Sequence, residues 1–204
     1  MEDLAAYLFS PFSSFLLGAV SSLFVWWLIP RCWKPEVTFS EELVEYVLDG
    51  DESFFQCAFE NTGSRDIIDL EIQVRIGIKG YRGATGWAHH LVKSNASKVP
   101  LLSPGKQRRV KIFDTRDPIE FIDKPSKTIR EAIESCHSLR DVLELGDDGE
   151  VRIHVFGFDS FSGVRKHFQS KKYCDWEIRK GTFRGLNVVK NNRFAKPNYS
   201  TTEG

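Results

Sequence analysis

The segment Ile68-Asp-Leu-Glu-Ile-Gln-Val-Arg-Ile-Gly-Ile-Lys79 decides the fold class, because apolar and polar residues alternate along its whole length. Its apolar positions are Ile68, Leu70, Ile72, Val74, Ile76 and Ile78. Successive side chains of a strand point to opposite faces of a sheet. The pattern therefore predicts a long strand with one face on a core and the other face on water.

Shorter runs of the same kind on both sides of this strand predict a mainly β domain. They lie at Val37–Phe39, Leu43–Leu48, Phe55–Phe59, Trp87–Val92, Arg109–Phe113 and Glu150–Val155. Turn-forming residues separate them, including Asn61-Thr-Gly63 and Pro104-Gly105. Short strands with frequent turns are typical of a β-sandwich or a small barrel.

One helix is predicted among these strands, over residues 128–145. Thr128-Ile-Arg-Glu131 matches a capping box, in which a hydroxyl is followed three residues later by a carboxylate. Apolar residues then recur at helical spacing and include Cys136. Cys136 and His137 are adjacent, and neighbouring residues of a helix do not face each other. We therefore interpret Cys136 as a core thiol and not as a nucleophile.

The N-terminal segment Leu4–Pro30 contains no Asp, Glu, Lys, Arg or His among its 27 residues. About 20 such residues suffice to cross a bilayer as a helix. Aromatic and basic residues crowd its C-terminal end, as at a membrane interface: Trp26, Trp27, Arg31, Trp33 and Lys34. The sequence predicts a single-pass transmembrane anchor. The acidic start and the lack of a small-residue cleavage site disfavour a cleaved secretory signal.

The charges that flank this segment predict its orientation. Met1-Glu2-Asp3 precedes it without a basic residue, whereas Arg31 and Lys34 follow it. Lys and Arg are retained on the cytoplasmic side. We therefore expect the N-terminus outside and the large domain in the cytoplasm, most simply at a bacterial inner membrane.

Three small residues recur every four positions of the predicted anchor, namely Ser14, Gly18 and Ser22. Stripes of small residues let transmembrane helices approach closely and associate. The pattern predicts a homo-oligomer, although Gly and Ser are also common in transmembrane helices that do not associate. The chain divides into an anchor (1–34), a β-sandwich domain (35–185) and a polar tail expected to be disordered (186–204).

Two segments are candidate binding sites for an anionic ligand or surface. The first is the glycine-rich loop with Lys79, Gly80, Arg82 and Gly83, whose backbone N–H groups are candidates for cradling a phosphate. Glycines at this spacing also serve a bulge or a wide hairpin. The second is a basic segment for lipid or an acidic partner: Arg165, Lys166, Lys171, Lys172, Arg179 and Lys180. Pairing of these cations with the acidic segment 36–60 is the competing interpretation.

Composition and motifs exclude several function classes. The formal net charge is zero, which gives no overall bias toward nucleic acid. The four cysteines form no Cys-x-x-Cys pair, and no nucleophile, nucleotide or metal motif has workable spacing. We therefore expect no enzyme activity, no cofactor and no metal.

The runs Phe-Glu-Asn-Thr-Gly-Ser-Arg-Asp-Ile-Ile-Asp-Leu-Glu-Ile (59–72) and Leu-Leu-Ser-Pro-Gly-Lys (101–106) resemble bacterial immunoglobulin-like sandwiches. In that family an Asn-x-Gly loop links two core strands and a Pro-Gly turn precedes a later strand. The resemblance covers about a third of the chain, and the helix at 128–145 departs from a simple sandwich. It implies a bacterial single-pass membrane protein whose immunoglobulin-like domain binds a partner.

These observations predict a membrane-anchored, non-enzymatic interaction module on the cytoplasmic face, which clusters through its transmembrane helix. Its partners would be the lipid bilayer, other copies of the chain and an unidentified protein or small anionic ligand. The alternative is a ligand-gated membrane effector similar in architecture to those of antiphage defence, which senses a small anionic signal and disrupts the membrane. A toxic effect on clustering or triggering would distinguish this alternative.

Overall fold

The computed structural model describes residues 14–28, 34–48, 52–117 and 119–189, and in this part the protein is mainly β. Helix α1 covers residues 14–28, and two short helices, α2 (Lys127–Glu134) and α3 (Leu139–Leu143), lie further along the chain. The strands are β1 (Val37–Phe39), β2 (Leu43–Val47), β3 (Ser53–Asn61), β4 (Ile67–Lys79), β5 (Trp87–Val92), β6 (Lys98–Leu102), β7 (Gln107–Asp114), β8 (Asp148–Asp159), β9 (Arg165–Gln169), β10 (Ile178–Lys180), β11 (Thr182–Arg184) and β12 (Asn187–Val189).

Two five-stranded sheets contain most of these strands. In sheet A the central strand β3 pairs with β7 on one side and with β1 and β2 on the other, and β10 adds to β2 in parallel. In sheet B the central strand β4 pairs with β8 on one side and with β5 and β6 on the other, and β9 adds to β8. Strands β11 and β12 form a separate hairpin.

One hydrophobic core joins the two sheets. Its fully buried side chains come from both sheets and from the helices between β7 and β8, and they include Leu43, Phe55, Phe59, Ile72, Val74, Ile133, Leu139 and Ile153. Tyr173 crosses this core, because its hydroxyl donates a 2.6 Å hydrogen bond to the carbonyl oxygen of Ser40. The apolar residues of the alternating segments therefore form the inner faces of the two sheets, which share one core.

Strand β4 confirms the predicted long strand, with one correction at its start. From Leu70 onward the alternate apolar residues are buried as expected. Asp69 has a φ of 50°, and the register with β8 shifts between Ile68 and Glu71. This β-bulge places Ile67 in the core and leaves Ile68 half-buried, so the prediction for Ile68 was wrong.

The predicted single helix over 128–145 is instead the two helices α2 and α3. Helix α2 is capped by Ser126, whose hydroxyl accepts a hydrogen bond from the backbone N–H of Ile129. A new helix begins at Ser138, where Ser138 and Asp141 form a reciprocal capping box. The capping box predicted at Thr128 is therefore wrong, because Ser126 caps α2 and Thr128 lies inside the helix.

The two loops that carry the immunoglobulin-like resemblance are held by defined hydrogen bonds. The buried Asn61 side chain donates to the carbonyl oxygens of Arg65 (2.7 Å) and Leu102 (2.9 Å) and accepts from the N–H of Gly63 (3.1 Å). The Pro104–Gly105 turn is confirmed by a φ of 69° at Gly105, the position of a type II turn that favours glycine.

The C-terminal part contains more regular structure than the sequence predicted. Strand β8 continues through residues 156–159, beyond the predicted run Glu150–Val155. The hairpin of β11 and β12 extends regular structure into the predicted disordered tail, because Phe183 of β11 packs against Val44 and Ala58, with Val188 of β12 alongside. The remainder of the predicted tail, residues 190–204, lies outside the described residues.

Candidate functional site

Helix α1 contains no charged residue, carries large apolar side chains on most of its circumference, and is exposed throughout residues 14–28. Every side chain in residues 14–28 is exposed, and Phe15, Leu17 and Trp26 are 74%, 73% and 74% accessible. A helix that is hydrophobic all round is stable when other apolar groups surround it, either in a protein core or in a membrane. The helix therefore needs an apolar environment that the described part of the chain does not provide.

The small-residue face of this helix is open to a close partner. Ser14, Gly18 and Ser22 follow one another at intervals of four residues. A Cβ atom built on Gly18 meets nothing within 4 Å, so the space beside the helix backbone is empty. Close approach of a second helix at this face is sterically possible.

The described residues contain no helix with the length and apolar character that a bilayer crossing needs. The predicted anchor spans residues 4–30, and residues 4–13, 29 and 30 lie outside the described part. Of the predicted interface residues, Trp26 and Trp27 lie at the end of α1, whereas Arg31 and Trp33 also lie outside the described part. Lys34 is exposed and pairs with Glu36 at 3.7 Å.

The glycine-rich loop folds into a compact turn after β4. Its backbone N–H groups are used within the loop: Gly80 donates to Gly86, Gly83 to Gly80, and Ala84 to Tyr81. Gly80 has a φ of 75°, a left-handed conformation that favours glycine, and a Cβ atom there would also meet the Asp147 side chain. The loop exposes the side chains of Lys79 and Arg82, with the Arg82 guanidinium 5.6 Å from the Tyr81 ring centroid. An anion at this loop would therefore be bound mainly by the side chains of Lys79 and Arg82, and not by backbone N–H groups.

The predicted basic segment is divided between the two sheets, because Arg165 and Lys166 lie on β9 and Arg179 and Lys180 lie on β10. Five of its six residues form ion pairs: Arg165 with Glu71, Lys171 with Glu41 and Glu177, Lys172 with Glu150, Arg179 with Glu42, and Lys180 with Glu45. Three of these partners belong to the acidic segment 36–60. Ion pairs within the chain therefore neutralise much of the positive charge of this segment, in agreement with the competing interpretation of the sequence.

A cavity of ≈ 620 Å³ opens where β7 ends against α2. Its apolar wall includes Phe113 and Ile133, and its polar wall includes Asp114 and Arg116. Arg116 donates two hydrogen bonds to Asp114 and, with Lys111, holds the pKa of that carboxyl well below its ordinary range. Asp114 is thus ionised and fully engaged with its neighbours at neutral pH.

The thiol of Cys136 lines the same cavity. Burial raises the pKa of this thiol, and its sulfur donates a 3.3 Å hydrogen bond to the carbonyl oxygen of Ala132. The thiol is therefore protonated at neutral pH, which disfavours attack on an electrophile. Over the ranges described, no three His, Cys, Asp or Glu side chains lie close enough to hold a metal ion.

The outer face of sheet B carries a group of histidines that the sequence did not predict as a unit. His154 on β8 and His167 on β9 approach to 2.9 Å through Nδ1 and Nε2, so one ring donates and the other accepts. Phe156 stacks on His167 with centroids 4.5 Å apart. His154, Phe156 and Glu150 alternate in the sequence and so share a face. The pairing of His154 and Phe156 with β9 is non-local, so no local sequence pattern indicates it.

The two histidines at positions 89 and 90 lie on opposite faces of β5, as alternation predicts. His89 is exposed and stacks on Trp87 at 5.7 Å. His90 is buried, and its Nδ1 lies 3.2 Å from the Asp123 carboxylate. The two rings cannot converge on one ligand.

Stability of the protein is expected to fall as the pH is lowered from about 7.5 to 5.5. Burial, assisted by the charges of His167, Arg75 and Arg152, lowers the pKa of His154 below its ordinary value of 6.5. In this range the unfolded chain binds more protons than the folded one, so acid favours unfolding. Denaturant unfolding at several pH values measures the effect.

The matched variants are His154→Gln and, at an exposed position, His137→Gln. The first is expected to reduce the loss of stability between pH 7.5 and 5.5, and the second to leave it unchanged. A protein that becomes more stable on acidification, or equal slopes in the His154→Gln variant and the parent, would contradict this assignment.

No protein-family model and no curated protein sequence matches this chain. Among solved structures, the chain is similar to Spo0M, a sporulation control protein from Bacillus subtilis, with 13% sequence identity and a TM-score of 0.29. The similarity covers 71% of this chain and 48% of the other, so the chain spans about half the length of that structure. A TM-score of this size does not establish a shared fold.

Proposed function

We propose that this protein is a membrane-anchored, non-enzymatic interaction module whose anchor helices cluster in the bilayer. The observation that carries the proposal is the exposure of α1, in which large apolar side chains face outward on most of its circumference. Burying one such side chain is worth roughly 1.5–3 kcal/mol. Insertion into lipid removes all of them from water at once.

The β domain is proposed to lie on the cytoplasmic face. Arg31 and Lys34 follow the apolar segment directly, and no Lys or Arg precedes it. Basic residues next to a membrane helix are retained in the cytoplasm. The N-terminus would then lie outside the membrane.

The β domain is proposed to be an immunoglobulin-like sandwich that binds a partner. Two sheets with one shared core, the hydrogen-bonded Asn61–Gly63 loop and the Pro104–Gly105 turn support this interpretation. Domains of this architecture commonly bind through loops and exposed sheet faces. The exposed outer face of sheet B, with its stacked aromatic and imidazole rings, is the surface best suited to such a role.

A Gly18→Leu variant is expected to cluster less in membranes than the parent chain. Leucine favours a helix over glycine by up to about 1 kcal/mol, and an added Cβ atom meets nothing in the monomer, so the isolated helix is not harmed. Close approach of a second helix would be blocked. Chemical crosslinking in carbonate-washed membranes is expected to show roughly fivefold or more loss of crosslinked dimer.

The matched control is Ala19→Leu, which adds a similar side chain about 100° around the same helix. This variant is expected to crosslink like the parent. Equal crosslinking in the Gly18→Leu and Ala19→Leu variants would contradict association through the small-residue face. Absence of the parent chain from the washed membranes would contradict the anchor itself.

A further inference from the structure

Two arginines face each other directly on the outer face of sheet B. Arg75 of β4 is the register partner of Arg152 of β8. Side chains at such positions have Cβ atoms about 4.5–5.5 Å apart, and like charges placed this way destabilise a sheet. The arrangement is unfavourable for the isolated domain and needs a compensating anion.

The available carboxylate is already engaged. Glu150 is 3% exposed, and it accepts a 3.0 Å hydrogen bond from Nε of Arg152 and pairs with Lys172 at 3.2 Å. Within the described residues, Arg75 makes no ion pair or hydrogen bond. Two cationic side chains, Arg152 and Lys172, thus share one carboxylate, and Arg75 has none of its own.

The neighbours of the arginine pair do not supply a second counter-charge. Along β4 the flanking outward residues are Gln73 and Gly77, and across β5 the register partner of Arg75 is Leu91. The next carboxylate on this face, Glu71, pairs with Arg165 at 3.0 Å. The electrostatic potential around the arginine pair is therefore positive. The pKa values of His89 and His154 agree with this, because both are lowered, mainly by burial and in part by the charge of Arg75.

A metal ion does not fit this place, although the His154–His167 pair offers two nitrogen atoms. Divalent cations would be repelled by Arg75 and Arg152, which lie on the same face and on neighbouring register positions. Guanidinium groups are instead suited to oxyanions, which they bind through paired N–H donors.

We propose that Arg75 and Arg152 form a binding site for a phosphate-type oxyanion on the outer face of sheet B. One oxyanion placed between the two guanidinium groups accepts hydrogen bonds from both and removes their repulsion. His89, the register partner of Gly77, lies one outward position along the sheet from the arginine pair, and its ring stacks on Trp87, which offers a flat apolar surface to a group that carries the phosphate. The site goes beyond the proposed membrane function and does not depend on it.

The test is calorimetric titration of the full 204-residue chain in a non-ionic detergent, with inorganic phosphate as the probe and chloride adjusted to constant ionic strength. Saturable binding is expected for the parent, together with a phosphate-dependent rise in melting temperature. An Arg75→Gln variant is expected to bind roughly tenfold or more weakly. The control Arg108→Gln removes an equal charge from an exposed position of sheet A and is expected to bind like the parent.

A second readout separates a binding arginine from a structural one. Without phosphate, Arg75→Gln is expected to melt at the same temperature as the parent or higher, because it removes a like-charge contact. A lower melting temperature, or retention of phosphate binding by this variant, would overturn the proposal.

The same titration with the water-soluble lipid dihexanoyl phosphatidic acid distinguishes the source of the phosphate group. Arg75-dependent binding of inorganic phosphate indicates a soluble ligand, and Arg75-dependent binding of the lipid alone indicates a headgroup. Absence of Arg75-dependent binding with both probes overturns the site. None of these results bears on whether the chain resides in a membrane.

Discussion

A Val74→Asp variant is expected to lose the folded β domain altogether. Val74 is fully buried at the centre of β4, where it is the register partner of Val92 on β5 and Ile153 on β8. An Asp there places a carboxylate in an apolar interior with no basic partner, at a cost of several kcal/mol. The whole stability of a domain this size is about 5–15 kcal/mol. Circular dichroism during heating is expected to show no cooperative transition.

The matched control is Gln73→Asp, one residue earlier on the opposite face of the same strand. That side chain lies on the outer face of sheet B beside Arg75 and Arg152, so a carboxylate there is expected to change stability by less than about 1 kcal/mol. Cooperative melting of the Val74→Asp variant at the parent's temperature would show that β4 is not central to the fold.

The second large effect is expected in the anchor, from Leu17→Arg combined with Val20→Arg. Both residues are exposed near the middle of the apolar segment. Each arginine at the centre of a transmembrane helix costs about 2.5–3.5 kcal/mol of insertion free energy, so the pair costs about 5–7 kcal/mol. The full chain is expected to leave the membrane fraction almost completely, as measured by carbonate extraction and sedimentation.

The control for this pair is Leu17→Val with Val20→Leu, which keeps the segment apolar and is expected to leave sedimentation unchanged. The β domain of the double-arginine variant is expected to melt like the parent, because the substituted side chains are exposed. Retention of the double-arginine variant in washed membranes would mean that α1 does not hold the chain there.

The sequence predicted the inner faces of the sheets because that information is local. The alternation from Leu70 to Ile78 indicates which side chains of the strand are buried in the core. This pattern does not depend on the loops or on which strands pair with it. The bulge at Asp69 was missed because the apolar pair Ile67 and Ile68 fits either register. Pairing with β8 decides between the two registers.

The helical region was predicted in the right place but with the wrong capping residue. Three hydroxyl side chains in residues 126–141 are candidate caps, namely Ser126, Thr128 and Ser138, and a hydroxyl caps a helix only where it can reach a free N–H. Ser138 and Asp141 satisfy each other, so the chain begins a new helix there. Sequence spacing alone could not rank this signal against Thr128 and Glu131.

The candidate binding residues depended on contacts that are distant in sequence. Arg75 and Arg152 are 77 residues apart in the sequence, and the register of β4 with β8 places them opposite each other. In the basic segment the opposite holds, because residues that form a cluster of positive charge in the sequence are paired in the fold. Their partners include Glu41, Glu42 and Glu45. The sequence thus shows which segments are rich in charged residues. The register of the sheets determines which of those charges find a partner and which do not.

Protease digestion of sealed membrane vesicles reports the anchoring of the chain and the orientation of its β domain in one experiment. Vesicles are prepared right-side-out and inverted from bacteria that express the full chain, and the β domain is followed by immunoblotting. We expect the domain to sediment with both preparations and to be digested only in the inverted vesicles. Recovery of the domain in the soluble fraction would exclude the membrane anchor, and its digestion in intact right-side-out vesicles would exclude the cytoplasmic orientation.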